Sequence, residues 1–423
     1  MAINIDLAHL RRALRNRNFR IYLAGTTCTG LGNWILQSGL GWLTWELTHS
    51  AAWLGAIAAS MMVPTLIVGP FAGAIADRVE YLKLLKMSQA GTMLQASLLC
   101  TFTYIDFISI WGLLGLTIFR GIVTAFNRPA RLAFIYNLVG HDDLPAAVSI
   151  SAIIFNMARF VGPPIGGLLI ITGGVPLNFF ASAMAIAIFY GTLCMIRDFK
   201  MEEKSNSGRG LMRDVYDGIR YCIVHPGIGP FLFVLIFTAL FARPVIEFFP
   251  GFAERVFDAG VSGYVLLMSA NVLGAALAGF WFASRSGIKG LTVIVMAFLA
   301  IFAAGLMLFV ATDIIWIGMI CLLPVGFSMI VQQIGIQVLM QSACAGEFRG
   351  RVLGVYGIVV RGMPAIGAII MGSMFDTFGM RLPVLIGGVI CLVLWVFLWR
   401  RRAVIAAAME SGPDTLSATR AEV

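Results

Sequence analysis

Twelve apolar stretches, each long enough to cross a lipid bilayer, run almost without pause from residue 20 to residue 400. They lie near residues 20–46, 53–76, 84–105, 108–137, 145–171, 176–196, 228–251, 262–284, 289–310, 313–341, 351–377 and 380–400. A hydrocarbon core of about 30 Å needs about 20 apolar residues per helix. Within lipid each backbone N–H and C=O must be satisfied inside its own segment, so the stretches are expected to be helices. Composition agrees: 59% of the 423 residues are hydrophobic and only 12% are charged, with a mean hydropathy of +0.90. A soluble domain carries roughly 25% charged residues, so most of this surface must face lipid. The fold class read from the sequence is an all-α integral membrane protein with twelve transmembrane helices.

The placement of charge sets an expected orientation. Arg11, Arg12, Arg15, Arg17 and Arg20 precede or open the first span with no small-residue cleavage site beyond them. That pattern predicts an uncleaved anchor, not a removable signal. Alternate loops collect Arg78, Lys83, Lys86, Arg128, Arg131, the six Lys and Arg of residues 197–225, Arg285, Lys289, Arg349, Arg351, Arg400–Arg402 and Arg420. The opposite side holds only Arg255 and Arg381. The positive-inside rule then predicts both termini in the cytoplasm. The net charge of +9 is a topology signal first, and attraction to anionic lipid second. Cations strung across separate loops do not form a nucleic-acid surface, so no nucleic-acid partner is expected.

The chain divides near its middle. The reading is a basic N-terminal segment (1–19), a six-helix half (20–196), a cytoplasmic linker (197–227), a second six-helix half (228–402) and a disordered tail (403–423). Within the linker, Val215, Ile219, Cys222 and Ile223 are spaced as one apolar face of a helix lying on the membrane surface. The halves echo each other: Pro163, Ile165 and Gly166 recur as Pro364, Ile366 and Gly367, with Arg159 and Arg361 nearby. Such repeats are characteristic of transporters built from two related six-helix bundles.

Seven cysteines are scattered without a Cys-x-x-Cys pair and read as packing residues, and the histidines show no metal-ligand spacing. No Gly-rich lysine loop for nucleotide phosphates is present. No metal, cofactor or enzymatic constellation is expected.

The second span ends in Gly73-Ala-Ile-Ala-Asp77-Arg78, followed by Lys83 and Lys86. This turn between two spans resembles the signature of the major facilitator superfamily. Residues 15–400 are similar to its bacterial branch of enterobactin exporters and macrolide efflux proteins. The similarity rests on Arg15-Asn-Arg17-Asn-Phe19-Arg20, Gly32-Asn33-Trp34, Pro64 before Gly69-Pro70, Arg120-Gly121, Phe126-Asn127-Arg128-Pro129-Ala130 and Glu347-Phe-Arg349-Gly350-Arg351-Val352. The chain departs from the family where Glu80, Tyr81 and Leu82 stand before Lys83, and where Ala158 replaces the glycine of the antiporter pattern. The resemblance implies a two-half major facilitator fold, alternating access and export across a bacterial cytoplasmic (inner) membrane. The expected partners are the lipid bilayer, a small-molecule solute and protons, and the protein is expected to act as a monomer.

A charge inside a bilayer costs roughly 2.5–3.5 kcal/mol at a helix centre on insertion scales, so each needs a reason. Arg120, Arg159, Arg243 and Arg361 fall within spans, and Glu247 is the one carboxylate that clearly joins them. Glu247 follows Arg243 by one α-helical turn, so the two are expected to pair on one face, with Pro244 bending the helix between them. Glu247 and Arg243 are the proton-coupling candidates. Arg120, Arg159 and Arg361 lack an obvious carboxylate, and a guanidinium offers a planar fork to carboxylate, phosphate or catecholate oxygens. They either line an anion-binding cavity or brace helices.

The substrate-binding candidates are these three arginines with Asn33, Gln37, Asn271 and Gln332; Asn127, Asn156, Gln333 and Gln337 are further amides within spans. Trp34, Phe155, Phe248 and Phe249 are aromatic residues able to stack a planar ligand. By resemblance Gly73, Asp77, Arg78 and Lys83 form a gate against the segment Glu347, Arg349 and Arg351. Gly162, Pro163, Gly166 and Gly167 would give close packing and a flexible kink. The favoured solute is a siderophore-like amphipathic anion. Alternatives are efflux of neutral or cationic drugs such as macrolides, lysophospholipid flipping, and, remotely, a sensor or assembly role without transport.

Overall fold

The computed structural model describes residue 12 and residues 14–76, 79–196, 211–285, 287–344 and 346–410. Every regular element among them is helical. The first helices are α1 (Arg17–Thr48), α2 (Ala51–Ala76) and α3 (Tyr81–Tyr104). A helical run from Ile110 to Met195 loses helical dihedrals at Gly140, Gly173 and Gly174, which divides it into α4 (110–139), α5 (141–172) and α6 (175–195). Gly140 and Gly174 have φ of 77° and 74°, a left-handed conformation that glycine adopts without a Cβ penalty. These are the points where the apolar stretches were expected to part.

The linker helix α7 (Leu211–Val224) precedes α8 (Ile228–Phe241), a 3-10 turn (Arg243–Phe248) and α9 (Phe249–Arg255). Then come α10 (Gly260–Ser284), α11 (Leu291–Ala311), α12 (Ile315–Ala343), α13 (Arg349–Phe378), α14 (Leu382–Arg400) and α15 (Arg402–Glu410). Among the described residues, nine helical stretches are long and apolar enough to cross a membrane. One of them, Asp142–Met195, spans 54 residues and contains both α5 and α6. With α1 and α3, which carry more polar residues, the set is consistent with twelve spans.

The chain forms two compact units, one made of Ile3–Asn206 with Ala259–Met268, the other of Met1–Ala2, Ser207–Asp258 and Ser269–Val423. The first unit is centred on Phe19, Tyr22, Phe134, Phe189 and Leu193. Its α1 starts where the Asn16 side chain accepts from the amides of Asn18 (2.9 Å) and Phe19 (3.2 Å) and its own amide donates to Leu138 O (2.7 Å). The second unit is centred on Phe248, Phe249, Phe252, Phe309 and Phe375, all fully buried. Phe248 meets Phe375 edge-on at 4.6 Å between centroids, and Phe252 lies 5.1 Å from Phe309. Phe248 and Phe249 are therefore core packing, contrary to the expectation that they could stack a ligand.

Helix association in lipid lacks a hydrophobic driving force and relies on small residues that let backbones approach. Gly166 of α5 packs on α1, where an added Cβ would stand 3.0 Å from Ile35 O. Asn178 of α6 locks the contact by donating to Gly166 O at 2.9 Å. In the second unit Gly367 of α13 meets α8 in the same manner, its would-be Cβ 2.8 Å from Ala239 O. It also abuts the carbonyl of Leu240, whose i+4 residue is Pro244, which has no N–H to offer it.

Two features differ from the sequence reading. At Pro163 and Pro164, where a flexible kink was expected, the backbone keeps helical dihedrals, and it leaves them at glycines instead. Residues 402–410 are an ordered helix, not disordered tail. Ile405, Ala408 and Met409 are buried, and Glu410 accepts from the amides of Gly290 (2.7 Å) and Thr292 (3.0 Å), capping α11. Residues 197–210 and 411–423 lie outside the described residues.

Candidate functional site: fixed guanidinium groups within the two units

In the first unit Arg120 projects from α4 and is 6% exposed. Its Nη2 donates to Asn33 Oδ1 of α1 at 2.8 Å and its Nη1 to Gln95 Oε1 of α3 at 3.3 Å. Among the described residues no carboxylate pairs with it. The next residue, Gly121, lets α4 lie against α2, where a Cβ would meet Met61 O at 2.8 Å. Thr65 Oγ1 donates to Gly121 O (2.9 Å), and the Ser60 and Thr117 hydroxyls share a bond of 2.7 Å. One guanidinium thus ties α1, α3 and α4 at a depth where the backbone is tightly held. Its acceptors are neutral amides, so its charge is oriented without being cancelled. Gln37 lies half-buried one turn beyond Asn33 on α1.

Arg159 of α5 is half-buried, its guanidinium carbon 5.8 Å from the Trp34 ring centre, and Phe155 meets Trp34 edge-on at 6.1 Å. A guanidinium over an indole face is a favourable cation–π arrangement. Beneath it Gly162 packs directly on Trp34, where a Cβ would lie 2.5 Å from the Trp34 Cβ. Gly162 and Gly166 therefore face α1, one turn apart, while Gly167 faces Val265. Asn127 donates to the Ser88 hydroxyl at 3.2 Å, joining α4 to α3.

In the second unit Arg243 sits in the 3-10 turn after α8. Its Nη2 donates to Gln333 Oε1 of α12 at 3.0 Å, and the Tyr356 hydroxyl of α13 donates to Gln333 O at 2.7 Å. The expected Arg243–Glu247 ion pair does not form. In a 3-10 helix of three residues per turn, positions four apart point about 120° away from each other. Arg243 has no carboxylate partner among the described residues, while Glu247, half-buried, engages a different group. Arg243 also borders a cavity of about 10 Å³ with Asn271, Ile246, Phe249 and Met329. That is room for one water. The Asn271 amide nitrogen is buried with no hydrogen-bond partner among the described residues. Gln332 is buried on α12, and Arg361 is exposed on α13.

The gate residues are only partly described. Asp77 and Arg78 lie outside the described residues. Among the described residues nothing lies within 4 Å of where a Cβ on Gly73 would stand, and Lys83 is exposed on the first turn of α3. Glu347 belongs to the 3-10 turn Gly346–Phe348, and Arg349 is exposed. Arg351 is held by the linker helix: it pairs with Asp217 at 3.7 Å and lies 5.4 Å over Phe348. Phe348 in turn stacks on Tyr221 at 4.6 Å, and Gly218 abuts the Arg351 backbone. Cys222 is buried on the same helix, and burial pushes its thiol up to about 11, with the neighbouring Cys344 adding to the effect. An unreactive packing thiol fits that shift.

Gln95, Tyr356 and the pairing role of Gln333 were not singled out by the sequence. An uncharged amide within a span carries no sign of which arginine it will meet. The only available signal was the cost of leaving it unpaired in lipid.

Solved transporters share this architecture. A bacterial homologue of the human lysosomal transporter Spinster, in an inward-facing unoccupied conformation, superposes with a TM-score of 0.72 at 13% identity, covering 93% of this chain and 98% of its own. A D-xylose–proton symporter gives 0.67 at 14% identity, covering 90% and 96%. The fold is that of a major facilitator transporter. The chain belongs to the family described as transmembrane secretion effectors, whose profile matches residues 11–416. It is 28% identical to the staphyloferrin A transporter of Staphylococcus aureus over 385 residues, 88% of this chain and 94% of that one. It is 25% identical to the enterobactin exporter of Shigella flexneri over 335 residues, 78% of each. This is a multi-pass membrane transporter of small solutes, not an enzyme.

Proposed function

We propose that this transporter exports an acidic, amphipathic, siderophore-like solute across a bacterial cytoplasmic membrane by proton-driven alternating access, acting as a monomer with both termini in the cytoplasm. The observation that carries this reading is Arg120, a buried cation whose bonds go to the neutral amides of Asn33 and Gln95. A positive charge held rigidly without a counter-ion favours an anion and repels a cation. The half-buried Arg159 and the exposed Arg361 add positive charge within other spans. The names of the two relatives support the solute class.

Ligand-induced thermal shift on purified protein, across acidic, neutral and cationic compounds, tests the reading. A charge-assisted hydrogen bond contributes roughly 1.5–3 kcal/mol, so Arg120→Gln should weaken an acidic ligand about tenfold to a hundredfold and a neutral one far less. Unchanged acidic binding by a folded Arg120→Gln, or a wild-type preference for cations, sinks it. The bonds that join three helices favour a second reading, in which Arg120 is a brace and the cargo is a neutral or cationic drug. That outcome of the panel would select it.

Glu247 is the carboxylate we assign to proton exchange, because it lies half-buried beside a break in the helix, where the backbone is not locked into α-helical bonds. Glu247→Gln should abolish uptake driven by a pH gradient in everted vesicles while ligand binding persists. Gradient-driven uptake retained by that variant would remove Glu247 from the mechanism.

For orientation, a cysteine at Ala259 should react with an impermeant reagent from outside intact cells, and one at Glu80 should not. The reverse pattern would invert the topology.

A further inference from the structure

The second unit carries an open apolar groove of about 550 Å³ between the end of α7, the start of α8 and the end of α14. Ile223, Gly229, Phe233, Ile236, Leu394 and Phe397 line it, and its other lining residues are also apolar. The volume lies within the range that encloses drug-sized ligands. Gly229 and Pro230 put no long side chain on the first turn of α8, which keeps the floor low. From Gly229 to Ile236 the groove follows α8 for about 10 Å at 1.5 Å per residue. Its walls stay open: Phe233 is 50% exposed, Phe397 49% and Ile223 68%. The groove therefore continues the apolar outer surface of two membrane-spanning helices.

One end of this groove is positively charged. Arg400 ends α14, and the Arg401 guanidinium lies 4.9 Å over the ring of Phe397, itself a wall of the groove. On α7 the exposed Arg220 stands one turn before Ile223 and Val224, both exposed. Two described acids of the adjoining helices are turned to other partners: Asp217 to Arg351, and Glu410 to the start of α11. An apolar channel along the spans, with cations gathered at one mouth, is complementary to an acyl chain ending in a negatively charged headgroup.

We propose that this groove binds one anionic phospholipid. An acyl chain fills the space between Phe233 and Phe397, and the headgroup phosphate lies at Arg400 and Arg401 with Arg220 across the mouth. The bound lipid joins the linker helix to α8 and α14. Because the site lies wholly within the second unit, it is independent of which solute the protein carries.

The test uses the full-length protein, stripped of lipid in detergent and titrated with dioleoyl phosphatidylglycerol or dioleoyl phosphatidylcholine, with binding read by native mass spectrometry. A cation near a membrane surface strengthens anionic-lipid binding about fivefold, so wild type should prefer phosphatidylglycerol by about tenfold or more. The double variant Arg400→Gln/Arg401→Gln should lower that preference by about fivefold or more, leaving only what Arg220 contributes. Arg381→Gln, at the other end of α14, should leave the preference intact. Ile236→Trp, which fills the groove, should reduce binding of both lipids. The proposal is overturned if wild type binds the two lipids equally or if the double variant keeps the preference. It is equally overturned if Ile236→Trp, folded as wild type, binds both unchanged.

Discussion

The same helix contact is built twice in this chain, and its surroundings differ. In the first unit Gly166 of α5 rests on α1 at Ile35, and α1 continues as one helix from Arg17 to Thr48. In the second, Gly367 of α13 rests on α8 at Ala239, and α8 ends two residues later, at Phe241, before a 3-10 turn. The polar chemistry follows this difference. Arg120 springs from an unbroken helix and is gripped by two amides from two other helices. Arg243 springs from the break, is held by one amide, and borders a water-sized cavity. Shared packing fixes the architecture of both units. The break before Pro244 interrupts the helix beside Arg243, and no such break lies beside Arg120.

The comparison is most severely tested at the paired glycines. Gly166→Val and Gly367→Val each force a branched side chain into a backbone contact, and overpacking of this kind costs about 1–3 kcal/mol. Both should approach the upper end, lowering the thermal transition in detergent and the yield of folded protein. A tolerated Gly367→Val beside a damaging Gly166→Val would show that the break lets α8 yield. The two contacts would then be alike in geometry and different in stiffness.

What the sequence made legible follows the same line. Apolar runs, loop cations and the Pro163/Pro364 echo are strong signals because a bilayer penalises every departure from them. The repeat-related glycines could be paired from their spacing alone. The kink was expected at Pro163 because proline removes an i−4 bond, yet the backbone there keeps helical dihedrals and the breaks fall at Gly140 and Gly173–Gly174. The Arg243–Glu247 pair assumed 3.6 residues per turn across Pro244, and the 3-10 turn defeats that assumption. The partners of the arginines were hidden because they come from other helices: Gln95 is 25 residues from Arg120, and Gln333 is 90 from Arg243. The helix α15 was hidden for a different reason. Nine residues are too few to be helical alone, and its order comes from burying Ile405, Ala408 and Met409.

The smallest expected effects lie at two helix starts, one in each unit, and they sharpen the comparison by separating neutral from charged capping. Asn16 caps α1 from within its own chain segment, through an uncharged oxygen, and anchors to Leu138 O as well. Glu410 caps α11 from α15, through a carboxylate that takes the amides of Gly290 and Thr292. Asn16→Ala should cost about 1 kcal/mol of stability whatever the salt, because a neutral cap has no charge to screen. Glu410→Gln keeps an oxygen acceptor and loses only the charge, so it should cost about 0.3–1 kcal/mol at low ionic strength. The site is partly exposed, and at 1 M salt a Debye length of about 3 Å should remove most of that difference. Thermal transitions of both variants against wild type, at low and high salt, give the comparison directly. A Glu410→Gln penalty that persists unchanged at high salt would mean that the carboxylate acts through the geometry of its two bonds. In that case α15 holds the second unit as Asn16 holds the first, and charge plays no part in the difference.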